Sequence, residues 1–146
     1  MNISYWLVKS ESEVFSIDDL KNAENGTTYW DGVRNYQARN YLRDQMKLGD
    51  KVLFYHSNSE PNAVVGICEV VKEGYPDFTQ FDGENKHYDP KADPNKPTWY
   101  MIDVKFISKF NKPVTLEEVK QNLKLKDMKL VQKGNRLSVM PVSKEE

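Results

Sequence analysis

The sequence predicts an α+β domain: a small, mostly β barrel of about five strands with flanking helices. Three observations predict it. Two-residue alternation of apolar side chains recurs at residues 3–9, 51–55 and 99–107. A single longer stretch after Asp31 places apolar residues at helical spacing. Hydroxyl-to-acid capping patterns start short helices elsewhere.

In chain order, residues 3–9 read as a strand, with Trp6, Val8 and Ser10 on one face and Tyr5, Leu7 and Lys9 on the other. Ser16 and Asp19 form the N-terminal signature of a short helix reaching Lys21. Asn25-Gly26 is a turn signal. The main helix is expected from Asp31 to about Leu48, with Ala38, Tyr41, Leu42 and Met46 inward and Gly49 suited to the position after its end.

Residues 51–55 form the next strand, with Val52, Phe54 and His56 sharing a face. The strand expected at 63–72 is apolar on both faces, the mark of a central strand. Residues 73–97 are polar and rich in Pro and Asp, as in an ordered surface loop or insertion. Residues 99–107 alternate again, with Tyr100, Ile102, Val104 and Phe106 on one face. Thr115 and Glu118 make a capping box for another helix. Gly134-Asn135 turns the chain into a short strand at 137–139.

A chain of 146 residues fits one domain. The formal net charge of −1 does not favour extended non-specific duplex binding, which calls for a strongly basic protein. The charge is uneven. Residues 11–31 carry six acids and one base, whereas residues 120–136 carry six bases (Lys120, Lys124, Lys126, Lys129, Lys133 and Arg136) and one acid. That segment reads as a local basic strip or as a solvated face of mixed charge. No apolar run is long enough for a membrane span, and no secretory signal is visible. A cytoplasmic protein is expected, or a nuclear one in a eukaryote.

The usual equipment of an enzyme is missing from the sequence pattern. The two histidines and one cysteine show no zinc spacing, so no metal ligand is assigned. Asp77, Asp82, Glu84, Asp89 and Asp93 do not follow a calcium loop. The seven glycines are scattered, without a phosphate-cradling loop or a dinucleotide fingerprint. No cofactor is expected. Cys68, mid-strand among apolar residues, reads as an inert core thiol.

Candidate binding residues cluster near the start of the main helix. Trp30 is either a stacking plate for a flat ligand or a core anchor. Arg34 falls in the expected first turn, where the helix dipole disfavours a cation, and Asn35 beside it offers both donor and acceptor. Arg39 and Arg43 share a helix face and read as surface residues. His56, at a strand end next to Ser57, could meet a ligand or be satisfied structurally. Ser10 and Ser138 lie at comparable strand ends. His87 reads as a solvated loop residue.

The segments YWLVKSE (5–11), TTYWDGVRNYQARN (27–40), GDKVLFYHSN (49–58), VVGICEVVKEGYPD (64–77), WYMIDVKF (99–106) and RLSVMPV (136–142) together resemble the EVE domain, and within it the thymocyte nuclear protein group. The resemblance implies a PUA-like small β-barrel of about five to six strands with flanking helices. It also implies kinship with YTH and ASCH domains. Such domains are readers of modified nucleobases, here of a modified cytosine in DNA or of modified RNA. The implied pocket falls on Lys9, Ser10, Trp30, Val33, Arg34, Asn35, His56, Ser57, Leu137 and Ser138; of these, Lys9, Val33 and Leu137 rest on the resemblance alone. Related sequences continue past RLSV-x-PV into a terminal helix, and the Ser143/Glu146 pattern marks its expected start.

The expected function is therefore a non-catalytic, nucleic-acid-binding domain, monomeric and free of membrane, that reads a modified base in DNA or RNA. Trp30 would stack on the base, with Val33 and Leu137 as apolar walls and Asn35, His56 and Ser57 at its edge. Lys9 or Arg34 would meet the phosphate. Two alternatives stand beside it: an enzyme acting on a modified nucleotide with His56 as general base, and a protein-interaction module using residues 73–97.

Overall fold

β1 (Tyr5–Glu11) carries the alternation read from its sequence: Trp6 and Val8 enter one apolar layer and Leu7 the opposite one. In the computed structural model, which describes residues 3–57, 59, 61–122, 125, 128–131 and 137–143, this strand lies inside the sheet. It pairs in parallel with β3 (Lys51–Ser57) and antiparallel with β6 (Val139–Val142). A parallel pair needs a long crossover. Here it is supplied by α1 (Ile17–Asn22), β2 (Thr27–Tyr29) and α2 (Tyr36–Asn40).

β3 continues antiparallel to β4 (Ala63–Pro76), β4 to β5 (Tyr100–Thr115), and β5 to β2. The result is a six-stranded mixed sheet in the order β2-β5-β4-β3-β1-β6. The expected fold class holds, with one qualification. Among the described residues the ladder does not close, so the barrel is an open sheet with β2 and β6 at its edges. Register shifts recur along β4 and β5, and such bulges bend and twist the strands that carry them. β4 extends to Pro76 and β5 to Thr115, well beyond the expected 63–72 and 99–107.

The sheet separates two apolar layers. One gathers Trp6, Val8, Val52, Phe54 and Val104 under α1, α2 and Trp30. The other gathers Leu7, Tyr55, Met140 and Val142 with Val119 of α3 (Leu116–Gln121) and Leu130. The capping boxes of α1 and α3 are both formed, on Ser16/Asp19 and Thr115/Glu118. Asp50, buried before β3, accepts hydrogen bonds from the Trp6 indole (2.9 Å) and from the backbone N–H groups of Ser4 (3.1 Å) and Lys47 (2.9 Å).

The main helix differs from expectation. It starts at Tyr36, not Asp31, and its second half, Tyr41–Gln45, is a π turn closed by Met46 N–H on the Tyr41 carbonyl. Asn35 is the N-cap, its side-chain oxygen accepting from Ala38 N–H at 2.9 Å. Two facts keep residues 30–34 out of the helix. Trp30 N–H extends the β2–β5 pairing by donating to the Ile102 carbonyl at 2.7 Å, and Gly32 sits at φ +78°. Gly74 explains how tightly β4 packs here, since a Cβ on it would meet the Leu42 carbonyl at 2.5 Å. The turn signal at Gly134-Asn135, and Lys124, Lys126, Lys133 and Arg136 of the basic strip, lie outside the described residues, as does the end of the Ser143/Glu146 pattern.

Candidate functional site

A cavity of about 720 Å³ opens where the end of β1, the end of β2 and the long loop meet. Lys9 and Ser10 of β1, Phe15 after it, and Tyr29, Trp30 and Asp31 form one wall. Asn85, Lys86 and His87 of the loop form the other.

The strand wall is built on the core. The Trp30 indole meets Phe54 edge-on (centroids 5.5 Å apart, 88°) and Phe15 likewise (6.4 Å, 82°). Its exposure is only 8%, so Trp30 is a core anchor that also walls the cavity. Ser10 Oγ donates to the Phe15 carbonyl at 2.6 Å, which leaves its lone pairs as acceptors. Lys9 takes its place from the sheet: its N–H donates to the Ser138 carbonyl at 2.9 Å, and its ammonium lies 5.9 Å from the centre of the Tyr55 ring. Half-burial pushes the Lys9 pKa down from its ordinary value.

The loop wall hangs on Asp77, whose side chain is fully buried. Its carboxylate accepts from Gly32 N–H (2.8 Å), Thr79 N–H (2.8 Å), the Thr79 hydroxyl and the Arg34 guanidinium (3.0 Å). Burial pushes the Asp77 carboxyl up, but the bonds from Thr79, Gly32 and Arg34 outweigh it and hold the pKa below the usual carboxylate range. Arg34 in turn donates twice to the His87 carbonyl, at 3.2 and 2.7 Å. Gln80 donates to the Asp77 and Trp99 carbonyls and accepts from Thr98 and Trp99 N–H, while the Trp99 indole donates to Asp89. His87 covers Gly32 so closely that a Cβ there would stand 2.5 Å from its Nε2. The expected ordered loop is present. Its residue His87, expected as a solvated loop residue, is partly exposed and lines the cavity.

The model of the EVE domain matches residues 4–146. The chain belongs to the EVE domain family. It is similar to the thymocyte nuclear protein 1 of Mus musculus, 46% identical over 160 residues, which span 98% of this chain and 70% of that protein. The crystal structure of human THYN1 protein in complex with 5-methylcytosine containing DNA has the same fold, with a TM-score of 0.93 at 45% identity over 98% of this chain and 92% of that one. So has the crystal structure of a Pseudomonas syringae protein, with a TM-score of 0.93 at 46% identity over 97% and 93%.

Within this EVE domain the residues expected at the pocket separate into groups. Lys9, Ser10 and Trp30 line the cavity. Arg34, Asn35 and Ser138 do not line it: Arg34 is tied to Asp77 and His87, Asn35 caps α2, and the Ser138 carbonyl holds β1. Arg34 therefore lies outside the helical first turn, and no dipole penalty falls on it there. Val33 is buried in the first apolar layer, and Leu137 packs partly buried against both. His56 accepts from Ile17 N–H through Nε2 at 3.1 Å, at the start of α1, and stands edge-on to Phe54. Burial lowers its pKa, with Asp18 and Asp19 pulling weakly the other way. The Ser57 carbonyl accepts from the Ser59 hydroxyl. Val33, His56, Ser57 and Leu137 are not among the cavity-lining residues.

Sequence reasoning missed Val14, Phe15, Thr28, Tyr29, Glu84, Asn85, Lys86 and His87, and took Asp31 for a helix cap rather than a cavity wall. The available signal was length. A loop of this size inside a small domain is commonly functional, yet the sequence does not say where it folds back.

Proposed function

We propose that this EVE domain binds nucleic acid and reads a modified base, a methylated cytosine first among them, by taking it out of its strand into the cavity between β1, Trp30 and the 85–87 loop. The observation that supports this most is an aromatic-walled cavity in a chain of the same fold as human THYN1 protein, whose crystal structure is a complex with 5-methylcytosine containing DNA.

The chemistry of the walls fits a cytosine. Its exocyclic N4 amino group is a donor and its ring face is flat and apolar. The Asp31 carboxylate accepts from the amino group. Lys9 donates to the carbonyl and ring-nitrogen acceptors, and Ser10 accepts a further donor. Trp30 and Phe15 take the ring and its methyl. Extrusion costs a few kcal/mol, and one base–aromatic contact returns about 1–3 kcal/mol, so the polar contacts must supply the rest. The roles expected of Asn35, His56 and Ser57 pass to Asp31 and Ser10, because the Asn35 side-chain oxygen and His56 Nε2 are engaged elsewhere in the fold and Ser57 does not line the cavity.

The reading is of a binder rather than an enzyme. His56, the general base an enzymatic reading would use, has its Nε2 lone pair on Ile17 N–H. The interaction-module reading needs a loop free to engage partners, and residues 77–89 are instead pinned through Asp77, Gln80 and Asp89.

Anisotropy titrations with labelled oligonucleotides test the proposal. Single- and double-stranded DNA and RNA are compared, each unmodified or carrying one methylated or hydroxymethylated base. A methyl group in a fitted apolar pocket is worth about 1–3 kcal/mol, so a preference of roughly tenfold or more is expected for one modified oligonucleotide. Asp31→Asn and Trp30→Ala, checked for folding by thermal melting, should abolish that preference. Equal affinity for all oligonucleotides in the wild type, or an unchanged preference in both variants, refutes it.

A further inference from the structure

Beyond the cavity, a second feature runs from the same loop along the outside of α2. Lys86 and His87 line the base cavity on one side and, on the other, a shallow hollow shared with Arg34 and Trp99. The rings continue from there. The Arg34 guanidinium lies 5.4 Å over Trp99, Trp99 stacks on Tyr36 (5.1 Å, 25°), and the Arg39 guanidinium lies 5.2 Å over Tyr36. Tyr36 is 63% exposed, so most of its ring is in contact with solvent. Past Arg39 opens a groove of about 540 Å³ lined by Arg39, Arg43, Lys96 and Tyr100, with the Arg43 guanidinium 5.8 Å over Tyr100.

The charges of this groove are arranged for an external anion. Arg39 makes its side-chain hydrogen bonds to neutral acceptors, Asn40 Oδ1 at 2.9 Å and the Thr98 carbonyl at 2.8 Å. Among the described residues no carboxylate makes an ion pair with Arg39 or with the exposed Lys96, while the exposed Arg43 is paired with Asp44 through two bonds, at 2.9 and 2.8 Å. The stacked rings and the Thr98 carbonyl hold Arg39 in place before any ligand arrives, which reduces the ordering cost of binding. Guanidinium groups so fixed match the geometry of phosphate oxygens.

We infer that Arg39, Arg43 and Lys96 form a phosphodiester-binding groove, separate from the base cavity, that carries the backbone of the strand whose base is read. The inference rests on the reading of the cavity as a base site, since continuity through Lys86, His87, Trp99 and Tyr36 is what aligns the two. The groove contributes affinity without regard to the base, and the cavity contributes the preference.

Salt titration separates these contributions. For every phosphate that a variant no longer neutralises, the slope of log affinity against log salt falls by about 0.9 on duplex and about 0.7 on single strands. Arg39→Gln/Arg43→Gln/Lys96→Gln should lower it by about two to three. Raising salt from about 50 to about 200 mM should then weaken the wild type by roughly twenty- to fortyfold more than the triple variant. Affinity should fall equally for modified and unmodified oligonucleotides. Lys96→Gln alone, at an exposed position that leaves the fold intact, should lower the slope by about 0.7–0.9. Trp30→Ala should do the converse, losing the preference and keeping the slope.

Wild-type slopes in both the single and the triple variant overturn the groove, even if the wild type discriminates between bases. A wild type without base preference, whose slope still falls in the variants, overturns the base-reading proposal and leaves the groove standing. A wild type that binds no oligonucleotide overturns both.

Discussion

The strand wall of the cavity, Lys9, Ser10 and Trp30, is held by the sheet ladder and the apolar core, whereas the loop wall, Asn85 to His87, is held by a few polar bonds centred on the buried carboxylate of Asp77, with Gln80 and Asp89 beside it. The first arrangement spreads its stability over many small interactions, so no one hydrogen bond decides it. The second concentrates it. Asp77 satisfies Gly32, Thr79 and Arg34 at once, and Arg34 alone links it to His87. A binding site with one distributed wall and one centralised wall can keep a fixed floor while its cover is set by a few polar bonds.

Removing the centre should give the largest effect. Asp77→Ala strands Arg34 and two backbone N–H groups and is expected to lower stability by about 3 kcal/mol, the low end for a broken buried pair because Arg34 is partly solvated. Urea unfolding measures the loss. Hydrogen exchange should show residues 78–89 opening while the β1–β3 amides stay protected; uniform loss across the sheet would mean that the two walls are not independent.

A smaller effect is expected from Gly32→Ala, which touches the junction between the walls. The left-handed backbone costs a non-glycine residue about 1–2 kcal/mol, and the new methyl must displace the His87 ring. The His87 imidazole resonances should shift, and nucleic-acid affinity should change more than stability does. An unmoved His87 would show that the loop has slack the structure does not suggest.

The smallest effect concerns pH and lies on the strand side. Burial lowers the His56 pKa in the fold, so its proton is bound more tightly by the unfolded chain. The stability His56 contributes is therefore complete above the unfolded value near pH 6.5 and declines as pH falls below it, towards the lowered folded value. Protonation would also remove the acceptor of Ile17 N–H. His56→Gln should flatten that part of the stability–pH curve. A wild-type curve without a decline below about pH 6.5 would contradict the assignment.

The same contrast explains what the sequence could show. The faces of β1 and β3, the capping boxes at Ser16 and Thr115, and the family resemblance are local or repeated patterns, and each reappears in the structure. The sequence pattern places the start of α2 too early because Asp31 and Asn35 are equally good caps by chemistry; a positive φ at Gly32 and a bond to Ile102 decide between them. The loop wall was not legible because Asp77, Thr79 and Gln80 look like ordinary surface residues until their partners, up to 45 positions away in the chain, are known. The basic groove escaped notice for a related reason. The sequence draws attention to the run of lysines at 120–136, while the fold joins Arg39 and Arg43 to Lys96 across a long insertion.

The position of β1 between β3 and β6 has a consequence for how the chain reaches this state. β1 can complete one of its two ladders only when Val139–Val142, more than a hundred residues later in the chain, is in place, pairing Tyr5 with Val142. Pairings of such sequence separation slow folding, because the loop between them must be closed before the pairing repays it. Until then β1 has a bare edge, a template that another chain can occupy. Refolding yield should accordingly fall with protein concentration, and a short peptide spanning β6, added in excess, should compete for the open edge.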